Sequence, residues 1–314
     1  MSEITTAQRI LYISQQYTIY VSFVILISGV IGNICKIIVF SQLKILRKTP
    51  SAFYIISEDI VNLIILFIPF VFRIGINAFN YDPSQTSIVW CKLRQAIGLT
   101  CTLITLTIVC FASIDQYLST NHQPYIRRLS SIRLAKILTI SSIIFWLFHS
   151  IPLLVFLEIQ PSAGCSIYNR GLLTYITFFY YPILSGLLPL LLSSFFSLLA
   201  YRNVRRLVRR QIPIEQRRLD RQLTSMILTR VFLLFILVFP YTIQRIYSLI
   251  SPAPRTEYVR AAIEQFVGAV TISFIYSSHI VHRYEFSVEI YLIDFYLGAF
   301  LCVYFNISTI SSAN

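Results

Sequence analysis

Seven long apolar runs, each ended by a short polar or basic stretch, constrain this chain more than any other feature. They fall at roughly 18–41, 52–74, 92–118, 134–158, 172–200, 224–250 and 261–283. At 1.5 Å rise per residue, about 20 helical residues match the ~30 Å hydrocarbon core of a bilayer. Backbone inside lipid must satisfy its own hydrogen bonds, so such runs form helices. The run Leu93–Ile114 shows the pattern well, since Arg94 is its one full charge. The expected fold is an all-α membrane protein, a seven-transmembrane helix bundle.

Composition agrees. The chain is 56% hydrophobic with mean hydropathy +0.71 and 12% charged residues, against about 25% charged in soluble domains. The net charge of +13 raises nucleic acid as a partner, and the placement of the basic residues argues against it. They sit between apolar runs: Lys44, Arg47 and Lys48; then Arg127, Arg128, Arg133 and Lys136; then the cluster Arg202, Arg205, Arg206, Arg209, Arg210, Arg217, Arg218 and Arg221. The segment Asn77–Trp90 has no Lys or Arg. This asymmetry puts the three basic loops in the cytosol and the amino terminus outside. Residues 1–17 then form an extracellular tail, 18–283 the seven-helix domain and 284–314 an atypical hydrophobic segment. Arg202, Arg205, Arg206 and Arg209 recur at helical spacing. That stripe suits anionic membrane lipids, at about 1 kcal/mol per charge, and equally an acidic protein partner.

Enzymatic readings find no support. The chain shows no metal-ligand spacing, phosphate loop or nucleophile motif, and His122, His149, His279 and His282 are scattered. No cofactor is expected. A small membrane transporter is an alternative, but paired halves with broken helices are not visible.

Several residues carry a resemblance. The third run starts at Cys91 and ends in Asp115-Gln116-Tyr117; the first holds Gly29-x-x-Gly32-Asn33; the second holds Glu58, Asp59 and Asn62. Trp146 lies in the fourth, Pro189 in the fifth and Pro240 in the sixth. In this order they resemble the rhodopsin-like (class A) G-protein-coupled receptors. WCKLR, FASIDQY and LLAYRNVRRL lean toward invertebrate receptors of the FMRFamide or related neuropeptide type.

The resemblance implies a plasma-membrane receptor that binds an extracellular peptide or small ligand and activates a heterotrimeric G protein. It implies a disulfide between Cys91 and Cys165, the two cysteines at helix ends or loops and both on the oxidising side, whereas Cys35, Cys101, Cys110 and Cys302 fall inside apolar stretches. It implies that Asn33 hydrogen-bonds across helices, and that Asp59, or Asn62 one turn on, occupies a position that binds sodium in many members. Asp115, Gln116, Tyr117, Arg202, Arg205 and Arg206 would face the G protein. Arg73, Arg94, Gly98, Gln244, Arg245 and Tyr247 lie near the outer mouth as ligand-pocket candidates. The arginines there suit an acidic group or the polar end of an amidated peptide, or they snorkel to the interface. Gly98 stands where aminergic receptors carry an aspartate, which argues against a biogenic amine.

Departures accompany the match. Gln116 replaces the family's arginine, so a receptor-shaped protein that binds ligand without coupling is a second reading. Leu237-Val238-Phe239-Pro240 lacks the aromatic switch of the sixth helix, with Phe235 and Phe239 as nearby substitutes. The seventh run lacks Asn-Pro-x-x-Tyr and offers Tyr276. Beyond it, 284–314 reads as a tail in the membrane, an eighth span exposing the sequon at Asn306, or a misread 3′ end of the gene.

Overall fold

The computed structural model describes residues 2–42, 49–79, 81–160, 164–207, 214–251 and 257–278. Among them are seven long helices. These are α1 Ser2–Gln42, α2 Pro50–Phe79, α3 Ile88–Thr120, α4 Ile132–Phe156 and α5 Arg170–Arg205, then α6 Ile214–Ile250 and α7 Tyr258–Ser278. Each is, or contains, a segment long and apolar enough to cross a membrane. Their outer faces are as apolar as their inner ones: Phe23, Ile27, Phe145, Leu191 and Phe232 are all exposed. A helix apolar on every side belongs in lipid or in a core. The seven-helix expectation holds.

The first helix departs from the sequence reading. Residues 2–17, expected as a tail, continue α1 outward, and the 41-residue helix is about 60 Å long, twice the hydrocarbon thickness. Ala7, Ile10, Tyr17, Val21 and Ile25 make a buried stripe against Ala262, Phe266 and Ala269 of α7. Tyr17 meets Phe266 edge-on, ring centroids 5.7 Å apart. Gln15 Nε2 donates to the Asn77 carbonyl of α2 at 2.7 Å. The stripe keeps helical spacing while its polar neighbours lower the average hydropathy, which hid it.

Prolines shape α2 and α5. Pro69 sits in a wide π-type turn, Leu66–Phe70, inside α2. Pro182 sits in a longer one, Ile176–Leu187, inside α5. A proline lacks the N–H that an α-helical turn needs, and a wide turn accommodates the loss. Regular α-helix resumes at Leu188, so Pro189 opens a regular stretch and the irregular one surrounds Pro182. Gly186 lies in that turn close to α6: a Cβ there would meet the Tyr181 carbonyl and Thr242. Pro240 lies inside α6, which stays helical on both sides of it.

Between α4 and α5 the chain forms a hairpin that periodicity did not reveal. Strand β1, Leu157–Gln160, pairs antiparallel with β2, Gly164–Ile167, in the register Leu157↔Ile167 and Ile159↔Cys165. Gly164 has φ +65°, a left-handed conformation that suits glycine. Cys165 is bonded to Cys91 at the start of α3, with Cα atoms 5.6 Å apart. The expected disulfide is present. It fixes the hairpin over the outer ends of the helices.

Residues 279–314 lie outside the described residues, and with them His279, His282, Asn306 and the expected extra hydrophobic segment. The side chain of Arg206 is outside them as well.

Candidate functional site: an outer cavity and a cytoplasmic polar cluster

Beneath the hairpin, α2, α3, α5, α6 and α7 enclose a cavity of about 330 Å³. Four of the ligand-pocket candidates, Arg73, Arg94, Gly98 and Arg245, line it together with Asp82, Tyr181, Tyr241 and Tyr276. Arg245 Nε donates to the Tyr181 hydroxyl at 3.2 Å, and its guanidinium lies 5.7 Å from the centre of that ring. Arg94 pairs with Asp82 at 3.4 Å. Burial pushes the Asp82 carboxyl up, but hydrogen bonds from the Ser84 hydroxyl and amide and the charge of Arg94 outweigh it. The net effect holds Asp82 below its ordinary value.

Arg73 is different. Its Nε is buried without a hydrogen-bond partner, and no carboxylate pairs with it among the described residues. Three guanidiniums therefore face one carboxylate, leaving positive charge in a partly enclosed space. A buried cation without an anion is costly, and an incoming acidic group would offset that cost.

Two expected pocket residues lie elsewhere. Gln244 packs toward Gly268 of α7. Tyr247 is exposed and donates to Glu264 at 3.1 Å, beside the outer ion pairs of Arg260 with Glu257 at 3.3 Å and Glu264 at 3.0 Å. The rotation of α6 turns both away from the cavity. Asp82 was missed, although it is the one acid in the Lys/Arg-free segment before α3. Tyr276, the sole tyrosine of the seventh run, lines the cavity and stacks near Phe70 at 4.2 Å.

Polar side chains link the helices in the membrane. Asn33 is fully buried; its Nδ2 donates to the Gly29 carbonyl at 2.8 Å, and its Oδ1 accepts from Lys36 at 3.3 Å. These two bonds lie within α1, and the link to the next helix runs through Lys36, where the resemblance implied a direct cross-helix bond. Lys36 Nζ pairs with Asp59 Oδ1 on α2. The position where the resemblance implied sodium thus holds a lysine ammonium. Asn62 Oδ1 accepts from Thr105 of α3 at 3.4 Å. Trp146 Nε1 donates to Thr107 Oγ1 of α3 at 2.9 Å. The Pro189 carbonyl accepts from Ser193 at 2.5 Å and from the Cys110 thiol at 3.6 Å. In α6, Phe235 and Phe239 stack on each other at 5.3 Å and are exposed. They face lipid and do not replace the missing aromatic switch, whose place buried Val238 takes.

At the opposite end, Asp115 and Gln116 are buried at the meeting of α2, α3 and α6. Asp115 accepts from Ser51 at 2.8 Å and from Ser130, in the loop after α3, at 2.7 Å. Gln116 Nε2 donates to Thr224 Oγ1 of α6 at 2.7 Å, and its Oε1 accepts from Ser51 at 3.3 Å. Tyr117 lies against Phe196 of α5, ring centroids 5.7 Å apart. Arg202 and Arg205 are exposed where α5 leaves the bundle, with the Arg205 guanidinium 4.7 Å above the Tyr201 ring. Seven helices, an outer cavity under a disulfide-held hairpin and a polar cluster at the far end form one layout.

The family model described as 7 transmembrane receptor (rhodopsin family) matches residues 32–281, well over half of the chain. The chain belongs to the rhodopsin family of seven-transmembrane receptors. No curated protein matches it with significance. The receptor is accordingly a multi-pass membrane protein of a family that receives extracellular ligands and signals through G proteins. Within that family its particulars are the glutamine at 116, the lysine at 36 and the arginine-rich cavity.

Proposed function

We propose that this receptor resides in the plasma membrane, binds a short neuropeptide in the cavity beneath the Cys91–Cys165 bridge and activates a heterotrimeric G protein. The observation that carries the ligand reading is Arg73, whose Nε is buried without a hydrogen-bond partner and which pairs with no carboxylate among the described residues, in a cavity that also holds Arg94 and Arg245. A cavity of about 330 Å³ admits the end of a peptide, and the remainder lies under the hairpin. An arginine donates two parallel hydrogen bonds to a carboxylate and one to a carboxamide oxygen. The excess of positive charge favours a free carboxylate or an acidic side chain. An amidated end, as the FMRFamide-type resemblance suggests, fits where no cationic residue enters with it.

Ligand binding shifts a pre-existing equilibrium toward a state in which α6 moves away from α3 about Pro240. In that state Gln116 leaves Thr224, and the cleft beside Asp115, Tyr117 and the Arg202 and Arg205 end of α5 receives the G protein.

The test is G-protein activation in cells with surface receptor quantified. The panel consists of short neuropeptides made in paired acid and amide forms, with acidic and basic variants of each. Saturable activation by one group, lost in Arg73→Ala at equal surface level, supports the reading. Activation unaffected by Arg73→Ala removes Arg73 from the site. Saturable peptide binding at the surface with no G-protein response favours the second reading, a receptor that binds without coupling, for which Gln116 is the observation.

A further inference from the structure

Lys36 lies within the spanning part of α1, where a charged side chain is costly unless it meets a partner. It is 3% exposed, and Asp59 opposite it is 0% exposed. The ammonium contacts Asp59 Oδ1 on α2 and, one turn back on its own helix, Asn33 Oδ1 at 3.3 Å. Asn33 and Lys36 share a face at i, i+3 spacing, so the same turn of helix brings the Asn33 oxygen to the ammonium that meets Asp59. Asn33 is itself held by its bond to the Gly29 carbonyl at 2.8 Å. The pair crosses between two helices and is closed to water.

The family resemblance implies a sodium ion at this aspartate, and the residues present do not fit one. Sodium takes oxygen ligands, whereas an ammonium offers only donors. The carboxylate already meets one full positive charge. A second cation would give the site two positive charges against one negative in a low-dielectric interior, where like charges repel strongly. Displacing Lys36 instead would strand a buried ammonium. Glu58, also buried, precedes Asp59 and lies about 100° around the helix from it.

We infer that Lys36 is a tethered cation that takes the place of a dissociable sodium ion at Asp59, so that this receptor carries its counter-charge covalently. The two sites differ in one consequence. A free ion stabilises the state that binds it by an amount that depends on its concentration. A lysine does so independently of the medium.

The experiment needs neither ligand nor G protein. The full-length receptor, purified in detergent, is melted in sodium chloride and in choline chloride at matched ionic strength, which equalises screening. The wild type and Lys36→Arg are expected to melt at the same temperature in both salts. Lys36→Ala uncovers Asp59 and is expected to melt lower in choline. In sodium it recovers with a saturable rise on the order of 2–8 °C. Adding Asp59→Asn to Lys36→Ala removes that rise. A saturable sodium shift in the wild type that Asp59→Asn abolishes would overturn the inference. So would a folded, monodisperse Lys36→Ala receptor without a sodium response, or a response that persists in the double variant. Should Lys36→Ala fail to fold, the wild-type and Lys36→Arg comparisons still decide.

Discussion

Gln116 of α3 donates to the Thr224 hydroxyl of α6 at 2.7 Å, and both side chains are buried. An uncharged bond thus joins the two helices at the position where the family carries an arginine. The neighbouring acid finds other partners: Asp115 accepts from Ser51 and Ser130, and among the described residues no cation pairs with it. A neutral hydrogen bond contributes about 1 kcal/mol net, and bonds to charged groups contribute about 1.5–3. In the proposed mechanism this uncharged bond is one latch between α3 and α6, and loosening it shifts the resting equilibrium toward the open state.

The Cys91–Cys165 bridge closes a loop of 74 residues in sequence, a separation at which chain-entropy arguments give about 4 kcal/mol. Cys91→Ser and Cys165→Ser, alone or together, are expected to lower surface expression to the same extent. Cell-surface staining checks this. Unequal losses would mean that the thiols act separately.

Asp82 is held below its ordinary value, so the sign of its pH effect follows directly. A carboxyl depressed in the folded state contributes stability above its unfolded value, near 3.8, and that contribution is lost as pH falls through the folded value. The melting temperature should drop more steeply below about pH 4 in the wild type than in Asp82→Asn. The difference is small, because Asp82 and Arg94 are both partly exposed. Melting curves of both proteins between pH 3 and 6 check it.

Trp146 reaches across from α4 to Thr107 on α3 at 2.9 Å. Interhelical hydrogen bonds in membranes average about 0.6 kcal/mol and reach about 1.7. Thr107→Val should cost toward the upper figure or beyond, because the indole N–H stays buried without its acceptor. Trp146→Phe removes the donor with the bond and should cost less than Thr107→Val where the ring packing is kept. Thermal unfolding in detergent ranks the two.

Arg73 predicts an opposition between stability and binding. Arg73→Met removes a guanidinium without a counter-charge and should raise the melting temperature of the unliganded receptor. The same change should weaken an acidic peptide about 10- to 150-fold, the equivalent of one charge-assisted hydrogen bond of about 1.5–3 kcal/mol. A variant less stable than the wild type would show that Arg73 is satisfied within the protein.

What the sequence disclosed was what lipid imposes. Apolar length set the helix count, and the family resemblance, with Cys91 and Cys165 at helix ends or loops, pointed to the bridge. What it concealed depends on rotation and on short range. Helices that are apolar on all sides give no stripe to orient them. Gln244 and Tyr247 were thus placed in the cavity with Arg245, though α6 turns them toward α7 and the surface. The buried stripe of residues 7–17 was diluted by polar neighbours, and the two four-residue strands were too short for periodicity to register. Lys36 lies near the end of the first apolar run, and nothing in its spacing points to a partner. Only the packing of α1 on α2 shows that it meets Asp59.

The most direct test of coupling is ligand-free nucleotide exchange on purified heterotrimeric G proteins of each major class, with wild-type receptor and Thr224→Val in lipid nanodiscs. Loss of the Gln116–Thr224 bond, about 1 kcal/mol, should raise basal exchange by at least one class about three- to tenfold over wild type. Exchange that stays at the receptor-free rate for both proteins and every class would contradict coupling through this cluster and leave a receptor that binds without signalling.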